Sequence, residues 1–546
     1  MGESKRESSR SKRLVLLVLL MAISIIGALR SPEKEAISAQ GKHIRVNDFI
    51  EHLVRQAEIP VDKSSDRPYI DAAMKSGILR KGDFKDYNDY LTRGDCAVLA
   101  NRLDEYLHGK YYGYSEELYN FLKGCEYYKG RLCYNLKEGL YPVGRDTYKY
   151  KAVDFYNNKV KPIIDSSFTF NREIRVAYID LFDEGEILDT YLEIGYKPYR
   201  ETNYTGIDPI EDDHPIIKDW RNVIDQERKL QAVYDKRISD INSIPEEKRL
   251  DIANIVAKGI IKGFNNGMYV QNREFRASRK ITANGAKNVI SMVINPEERS
   301  VISPDGQLIR TSKLPKNADK YPYILACFPN EFYEMPMEFE TRDISRYKDY
   351  DIRYPVEAGN EAIEKKYVNF LLLGMEPYEY YDTIMNQVEQ YVTNVLNVDY
   401  RTVDEEWVEK VTSTYTPTTT GGVYDRIEEY LSSMKKNHVI VESKLISVEP
   451  SSMYYFYGDY YVRVYAKYKV TADTLDVEDD CELVFGGLST THLLKLKNNE
   501  WTYGYYDIQV NSSNIDTETF DKFQSYMHFG VAPWAGLSDI NMKSIR

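Results

Sequence analysis

A unit made of a helix, a glycine-terminated turn, a loop and a threonine-capped helix recurs along the chain and limits the folds open to it. Residues 250–264 (LDIANIVAKGIIKGF) mirror residues 70–84 (IDAAMKSGILRKGDF), and residues 280–294 mirror residues 90–103. A further copy of the second helix begins at Ile44, although no glycine turn precedes it. Recurrence of one supersecondary unit predicts repeats that stack to bury a shared core, here two and a half of them.

The apolar residues of these units recur at helical spacing, which marks the face that each helix should bury. Two such stripes are Phe49, Ile50, Leu53 and Val54, and Cys96, Leu99, Ala100 and Leu103. Gly77 is predicted to end one helix, because glycine adopts the left-handed conformation of a helix C-terminus. Thr92, followed three residues later by Asp95, predicts the N-cap of the next helix.

These residues resemble the S-layer homology family of bacterial surface proteins. The string GILRKGDFKDYNDYLTRGDCAVLANRL follows the family's order of a Gly-Ile-Ile turn, a loop and an Ile-Thr-Arg-Ala-Glu opening. The resemblance covers residues 43–109 and 236–310. It implies α-helical repeats that pack in threes and bind acidic secondary cell-wall polysaccharide, which would hold the protein non-covalently on the cell surface.

The resemblance also implies a set of polysaccharide-binding residues around the threonine-capped openings. In the first full unit these are Thr92, Arg93 and Asp95, and we expect the Arg93 guanidinium and free N–H groups at the helix N-terminus to attract carboxylates together. In the second unit the arginine position is Ala283. The remaining candidates there are Arg276, Arg279, Lys280 and Thr282. The alternative is that the repeats are only a helical scaffold, with Thr92 and Asp95 acting as caps.

The N-terminus carries the pattern of an export signal. Five basic residues lie within the first 13, and Leu14 to Leu29 then runs 16 residues without a charge. Residues 1–30 are therefore predicted to be a signal peptide or a retained signal anchor, followed by a linker at 31–42. Cleavage predicts an extracellular protein in the cell wall, whereas retention predicts a tether between membrane and wall.

The rest of the chain predicts further domains. Residues 110–235 are a Tyr-rich insertion, with strand-like runs at 172–199 and a helical stretch near 216–236. Cys125 and Cys133 lie eight residues apart in it, and their pairing is left open. Residues 311–377 read as an extended connector.

Residues 378–510 predict a C-terminal α+β domain with a curved antiparallel sheet, and residues 511–546 a tail. Helices come first, with Thr412 to Gly422 as a loop between two of them, and alternating strands follow. In the main strand Val462, Val464, Ala466, Tyr468 and Val470 should share one face. Asn498 and Asn499 predict the turn of a hairpin. The order of elements weakly resembles NTF2-like domains, which implies a pocket lined by tyrosines, Trp407 and Trp501.

Composition narrows the functional class. The net charge is −13, which argues against a nucleic-acid binder, since such proteins need a basic footprint. Only 7 His and 5 Cys are present, and no nucleotide-binding, serine-hydrolase or zinc-protease motif occurs, so no cofactor or catalytic residue is predicted. A wall-active glycan hydrolase remains the alternative, because it needs only two spaced carboxylates.

Several residues whose side chains could bind a metal ion or take part in catalysis are also explained by structural roles. Glu211–His214 and the acidic residues at 476–480 suit a metal ion but also a solvated loop. Asp404, Glu405 and Glu406 suit an exposed helix face. Cys327 lacks a histidine partner in the sequence, which disfavours a nucleophile.

Overall fold

The computed structural model describes residues 42–128, 131–135, 174–183, 186–196, 215–335, 376–415, 420–456, 459–475, 482–486, 496–517 and 524–531. The chain divides into two compact units: unit 1 is residues 1–107 with 276–299, and unit 2 is residues 108–275 with 300–546. The division passes through the repeat predicted at 236–310, so the two helices of that repeat belong to different units.

The α-helices of the described residues largely match the periodicity of the sequence. They are α1 Val46–Gln56, α2 Pro68–Lys75, α3 Arg93–His108, α4 Glu116–Lys123, α5 Pro215–Ala232, α6 Glu246–Ala257, α7 Ala283–Ile294, α8 Asn330–Glu334, α9 Glu376–Val395, α10 Glu405–Thr412 and α11 Thr420–Lys436. A π-helical turn, Val233–Arg237, continues α5. One helical boundary is wrong: α11 begins at Thr420, inside the loop predicted to extend to Gly422.

The described strands form three antiparallel sheets. They are β1 Cys125–Tyr128, β2 Arg131–Asn135, β3 Ile174–Asp183, β4 Glu186–Tyr196, β5 Phe264–Asn265, β6 Arg273–Glu274, β7 Val398–Asp399, β8 Ile440–Phe456, β9 Asp459–Thr471, β10 Thr502–Thr517 and β11 Gln524–Val531. Their orders are β1-β2-β4-β3, β5-β6 and β11-β10-β9-β8-β7. The strand-like runs predicted at 172–199 are confirmed as the hairpin of β3 and β4.

Unit 1 is built on the apolar faces of α1, α3 and α7. The two stripes predicted from the sequence are buried, with Phe49 and Leu103 both 0% exposed. Two ion pairs brace the unit, Arg102 with Asp83 at 2.6 Å and Arg299 with Asp104.

Glycine turns end α2 and α6, as the repeat predicts. Gly77 has φ +78° and Gly259 has φ +71°, both in the left-handed region. At the first turn the N–H of Leu79 returns to the carbonyl of Ala73 at 3.0 Å, which satisfies a carbonyl at the helix end. At the second, a Cβ on Gly259 would lie 1.9 Å from the carbonyl oxygen of Ser300, so only glycine fits.

Unit 2 contains the predicted α+β arrangement, in which α9, α10 and α11 pack on one face of a curved five-stranded sheet. Register shifts at Ser443/Leu445 and Glu449/Tyr454 bend β8. The five residues predicted to share a face of β9 are all buried in this core, which confirms the alternation. The sheet also extends past the predicted boundary at 510, since β10 reaches Thr517 and β11 follows it.

Within the connector, the described residues 311–335 are packed rather than merely extended. Phe328, Phe332 and Tyr333 form a second core with Tyr461 and Tyr465 on the outer face of β9. Residues 336–375 lie outside the described residues. The outer face of the C-terminal sheet is therefore partly covered by chain from the connector.

Some predictions fall at or beyond the limits of what is described. We find no helix in the described residues with the length and apolar character to cross a membrane, and Leu14–Leu29 lies outside them. Glu211–His214 and residues 476–480 also lie outside. Cys125 is a buried thiol whose Sγ donates to the carbonyl oxygen of Phe121 at 3.2 Å.

Candidate functional site

The three segments that open α1, α3 and α7 begin at Ile44, Leu91 and Ile281, and we call them the openings. They meet in a closed ring of main-chain hydrogen bonds in unit 1. The N–H of Ile44 donates to the carbonyl of Ile281 at 3.2 Å, that of Ile281 to Leu91 at 3.1 Å, and that of Leu91 to Ile44 at 3.0 Å. Each residue therefore donates once and accepts once. The half unit that begins at Ile44 thus supplies the third member of the ring, and the three openings aligned from sequence are equivalent in space.

The N-terminus of α3 is sealed by the loop that precedes α7. The N–H of Arg93 donates to the carbonyl of Arg279 at 2.7 Å, and the N–H of Gly94 donates to the carbonyl of Ala277 at 2.8 Å. The next N–H, on Asp95, donates to the Oγ1 of Thr92 at 3.1 Å. The prediction of free N–H groups at this helix end is therefore wrong, because three of the donors that a helix N-terminus leaves open already have acceptors.

The same seal recurs at the other helices of the ring. In α1 the N–H of Val46 donates to the carbonyl of Asp89 at 3.0 Å, and that of Asn47 donates to Tyr87 at 2.9 Å. In α7 the N–H of Ala283 donates to Lys42 at 3.0 Å. In each case the accepting carbonyls lie two or four residues before the opening of a neighbouring helix of the ring. The same main-chain pattern is therefore repeated at all three helices.

Thr92 and Thr282 act as N-caps. The Oγ1 of Thr92 donates to Oδ2 of Asp95 at 2.5 Å while accepting the N–H of Asp95, and the Oγ1 of Thr282 accepts the N–H of Gly285 at 3.2 Å. A side-chain cap of this kind typically stabilises a helix by about 1 kcal/mol. The predicted role of Thr92 as an N-cap is confirmed, and the Asp95 carboxylate holds the Thr92 hydroxyl rather than a main-chain N–H.

The structure brings the basic candidates of both units together at the N-terminus of α3. Arg276, Arg279 and Lys280 are exposed on the loop that supplies the capping carbonyls, and Arg93 is half-buried beside them. Thr92 pairs with Lys280 through a main-chain bridge. Four basic residues thus lie at or next to the main chain that seals one helix end. Thr282 lies at the neighbouring opening, where its bridge partner is His43.

The corresponding loop at α1 has the opposite charge. The carbonyls that seal α1 belong to the segment KDYNDY, residues 85–90, in which Asp86 and Asp89 are exposed. Asp48 is also exposed in the first turn of α1. Two helix ends with the same main-chain geometry therefore differ in the sign of the charge around them, and the α3 end is the one suited to an anion.

Sequence reasoning missed Tyr90, an exposed aromatic ring at the same junction. The Arg45 guanidinium lies 5.2 Å and the Lys280 ammonium 4.7 Å from its ring centroid, within the range of cation–π attraction. The ring of His43 lies 6.0 Å away, edge-on. The residue immediately before each opening belongs to this group of contacts: His43, Tyr90 and Lys280. Because the three openings meet in the ring, this shared sequence position is the signal that could have predicted the group.

A separate cleft of about 610 Å³ lies in unit 2 between α9 and the end of α5 with its π-helical turn. Ion pairs across it join Arg228 to Asp382 at 2.7 Å and Lys236 to Glu389 at 3.0 Å. A third pair joins Arg237 to Asp305 at 2.8 Å. Because these charges already interact with one another, the cleft gives no clear preference for an anion or a cation.

The residues weighed for catalysis have structural roles where they are described. The Sγ of Cys327 donates to Oε1 of Gln307, and burial raises the pKa of the Cys327 thiol to about 12, which keeps it protonated and unsuited to attack. Asp404 caps α10 by accepting the N–H of Trp407, and Glu406 pairs with Lys410 one turn later. Among the described residues, no cluster of acidic, histidine or cysteine side chains is arranged to hold a metal ion.

The predicted aromatic pocket of the C-terminal domain is also not formed by the residues named for it. Trp407 is buried in the helix-covered core, and its Nε1 donates to the carbonyl of Asn394 at 3.0 Å. Trp501 lies 45% exposed just before β10. Trp501 also contacts lysines of the outer sheet face, so the two tryptophans do not line one pocket.

The chain was compared with known protein families, with characterised proteins and with solved structures, and none of the three comparisons returned a match.

Proposed function

We propose that this protein is exported and attaches non-covalently to acidic cell-wall polysaccharide through unit 1, which acts as a closed triplet of S-layer-homology-like repeats. The observation that carries the proposal is the four-residue basic cluster of Arg93, Arg276, Arg279 and Lys280 at the sealed N-terminus of α3. A carboxylate-bearing polymer would be held there by side-chain cations. Main-chain N–H groups would contribute little, since they are already bonded.

The ring at Ile44, Leu91 and Ile281 supports the triplet interpretation. Repeats of this family are expected to pack in threes, and the ring joins three equivalent openings although one comes from a half unit. The charge difference between the ends of α1 and α3 limits the attachment through unit 1 to one principal site. An acidic chain of net charge −13 would be repelled by an acidic polymer over most of its surface, so the basic cluster would set the orientation of unit 1 on the polymer.

For the C-terminal part of unit 2 we propose an NTF2-like domain that the anchor presents outside the cell. The support is the order of elements, with α9, α10 and α11 preceding the long strands β8, β9 and β10 and packing on one face of their sheet. The fold class by itself names no ligand, because such sheets serve many activities.

The attachment is tested by cosedimentation of the full chain with purified wall sacculi from a Gram-positive bacterium. One batch of sacculi keeps its acidic polysaccharide, and a matched batch is stripped of it by acid extraction. We expect the protein to pellet with the first batch and to stay in solution with the second. Pelleting with both batches would indicate peptidoglycan as the ligand. Pelleting with neither batch would refute the proposed attachment to the wall.

A further inference from the structure

The side chains on the outer face of the C-terminal sheet form rows across the strands, and the residue types in these rows change from one end of the strands to the other. Arg463 of β9 lies opposite Glu449 of β8 and Asp507 of β10, while at the other end Lys467 lies opposite Tyr503. Residues two apart on a strand share a face, so these rows form one continuous surface. One end of this surface is covered and the other is exposed.

The covered end is closed by the connector and by Tyr269. Nη1 of Arg463 donates to the carbonyls of Phe332 and Met335, which holds the connector on the sheet. In the next row the ring of Tyr269 stacks on Tyr465, with centroids 3.8 Å apart and planes within 3°.

Tyr269 shows how this face receives a flat ring. Its backbone is in the left-handed region at φ 62°, a conformation that non-glycine residues adopt at some cost. It is fixed by a hydrogen bond from its N–H to the carbonyl of Cys327 at 2.8 Å and by contact of its hydroxyl with that of Tyr505 at 2.9 Å. The chain thus places an aromatic ring on one row and leaves the next row, that of Lys467 and Tyr503, exposed.

The exposed end carries two aromatic rings among lysines. Tyr503 is 49% exposed and Trp501 is 45% exposed, two residues apart and therefore on the same side of the strand. The ammonium groups of Lys444 and Lys469 lie 5.7 Å and 5.5 Å from the Trp501 ring centroid. Lys467 lies opposite Tyr503 in the register. We call Trp501, Tyr503, Lys444, Lys467 and Lys469 the aromatic–lysine platform.

The local charge of the platform is positive although the chain is acidic. Lys469 pairs with Glu442 at 2.8 Å, which leaves a net surplus from Lys444 and Lys467. A flat aromatic surface of this kind stacks on ring faces, and the lysines add attraction for anionic substituents. The combination fits a polymer that consists of rings and carries charges at intervals.

We propose that the aromatic–lysine platform is a second binding site, on unit 2, for a polysaccharide that bears carboxylate groups. The sugar rings stack on Trp501 and Tyr503, and Lys444 and Lys467 contact the carboxylates. A single-stranded nucleic acid also stacks on aromatic rings, but its charge density requires a strongly basic groove, and this chain has a net charge of −13. The proposal rests on unit 2 alone and does not depend on the basic cluster of unit 1.

The test is affinity electrophoresis of the full chain in native gels that contain polygalacturonate, its fully methyl-esterified form, an oligothymidine of similar length, or no polymer. We expect polygalacturonate to retard the wild type, and Trp501→Ala/Tyr503→Ala to weaken the binding constant roughly tenfold, as loss of two stacking rings implies. Tyr424→Ala is the matched control, because Tyr424 is also an exposed tyrosine of unit 2, at 47%. Equal binding of the esterified polymer, or stronger retardation by an oligothymidine of the same length, would overturn the proposal.

Variants of each unit keep the two sites apart. Arg93→Ala should leave the platform intact, so weaker retardation of Trp501→Ala/Tyr503→Ala than of the wild type supports the second site, whether or not Arg93→Ala is also weakened. A loss of retardation seen only with Arg93→Ala would overturn the second site, while it would support the basic cluster of unit 1. No retardation of the wild type would refute the platform as a site for this class of polymer. The sacculus assay would still test the attachment of unit 1 to the wall.

Discussion

The two units use charged side chains in opposite ways. In unit 1 main-chain hydrogen bonds close the ring, and three of the four basic residues at the α3 end are exposed, with Arg93 half-buried beside them. In unit 2 the Arg463 and Asp507 side chains are only 3% and 1% exposed, and their ion pair lies beneath the connector. Removing a cation at the α3 end should therefore weaken binding, whereas removing Arg463 should lower stability.

The largest effect should come from the buried pair. Arg463→Ala leaves Asp507 buried without its cation and frees the connector carbonyls that Arg463 holds, so we expect a loss of about 3–5 kcal/mol in the free energy of unfolding. Chemical denaturation of the full chain, followed by near-ultraviolet circular dichroism, measures it. The double variant Arg463→Met/Asp507→Leu should recover most of the loss. An unchanged transition for Arg463→Ala would contradict the structural role of the pair.

Glu449 should give unit 2 a pH dependence. Its carboxyl is fully buried and accepts from Oγ of Ser451, and burial raises its pKa to about 8. In the unfolded chain its pKa is near 4.5, so the folded state holds an extra proton between these values and stability falls as the pH rises from about 4.5 to about 8. The change is on the order of 5 kcal/mol.

Glu449→Gln tests this because it keeps the shape and removes the titration. The melting temperature of the wild type should fall across that range, while that of Glu449→Gln should change less and exceed the wild type near pH 8. Parallel curves for the two proteins would show that Glu449 is not the responsible group.

A smaller effect on stability should come from the caps of unit 1. Thr92→Ala removes the acceptor for the N–H of Asp95 and should cost about 1 kcal/mol. At the equivalent position in α1, Arg45 makes no side-chain cap, although Asp48 stands three residues later as Asp95 does in α3. Arg45→Thr adds such a cap but gives up the contacts of the Arg45 guanidinium with Tyr90 and with the carbonyl of Asn88, so any gain should be smaller than the loss at Thr92. Thermal melts of both variants check this, and a destabilised Arg45→Thr would break the equivalence of the two helix ends.

The smallest effect should come from changing the charge at the α1 end. Asp89 seals α1 through its carbonyl, so Asp89→Lys keeps the main-chain bond and reverses the side chain. We expect binding to wall sacculi to tighten about threefold, since an exposed charge contributes weakly. The gain should vanish in high salt. Weaker binding of Asp89→Lys would show that the acidic loop itself takes part in recognition.

The sequence predicted the parts of this molecule that depend on local interactions. Helical stripes, the glycine turns at Gly77 and Gly259 and the Thr92 cap all follow from residues a few positions apart, and each is confirmed. The alternation in β9 was predictable for the same reason. The start of α11 was missed, because Thr420, Gly421 and Gly422 have low helix propensity, while the core contacts of the helix come from later residues such as Val423 and Ile427.

What the sequence did not reveal depends on distant contacts. The carbonyl of Arg279 that seals Arg93 comes from 279 − 93 = 186 residues away, so the occupied N–H groups were not predictable from the α3 sequence. The contact of Tyr90 with Lys280 requires the closed ring. Burial of Arg463 likewise requires the connector, since alternation alone places that residue only on the outer face of the sheet.

The central claim is that the basic end of α3 holds the wall polymer. The most direct measurement is the dissociation constant of the full chain from sacculi for wild type, Arg93→Ala and Arg55→Ala, the last being an exposed arginine of α1 paired with Glu51. We predict a roughly tenfold weaker constant for Arg93→Ala, as expected for a charge-assisted contact, and no change for Arg55→Ala. Equal constants for all three proteins, with unchanged melting temperatures, would contradict the assignment of this site.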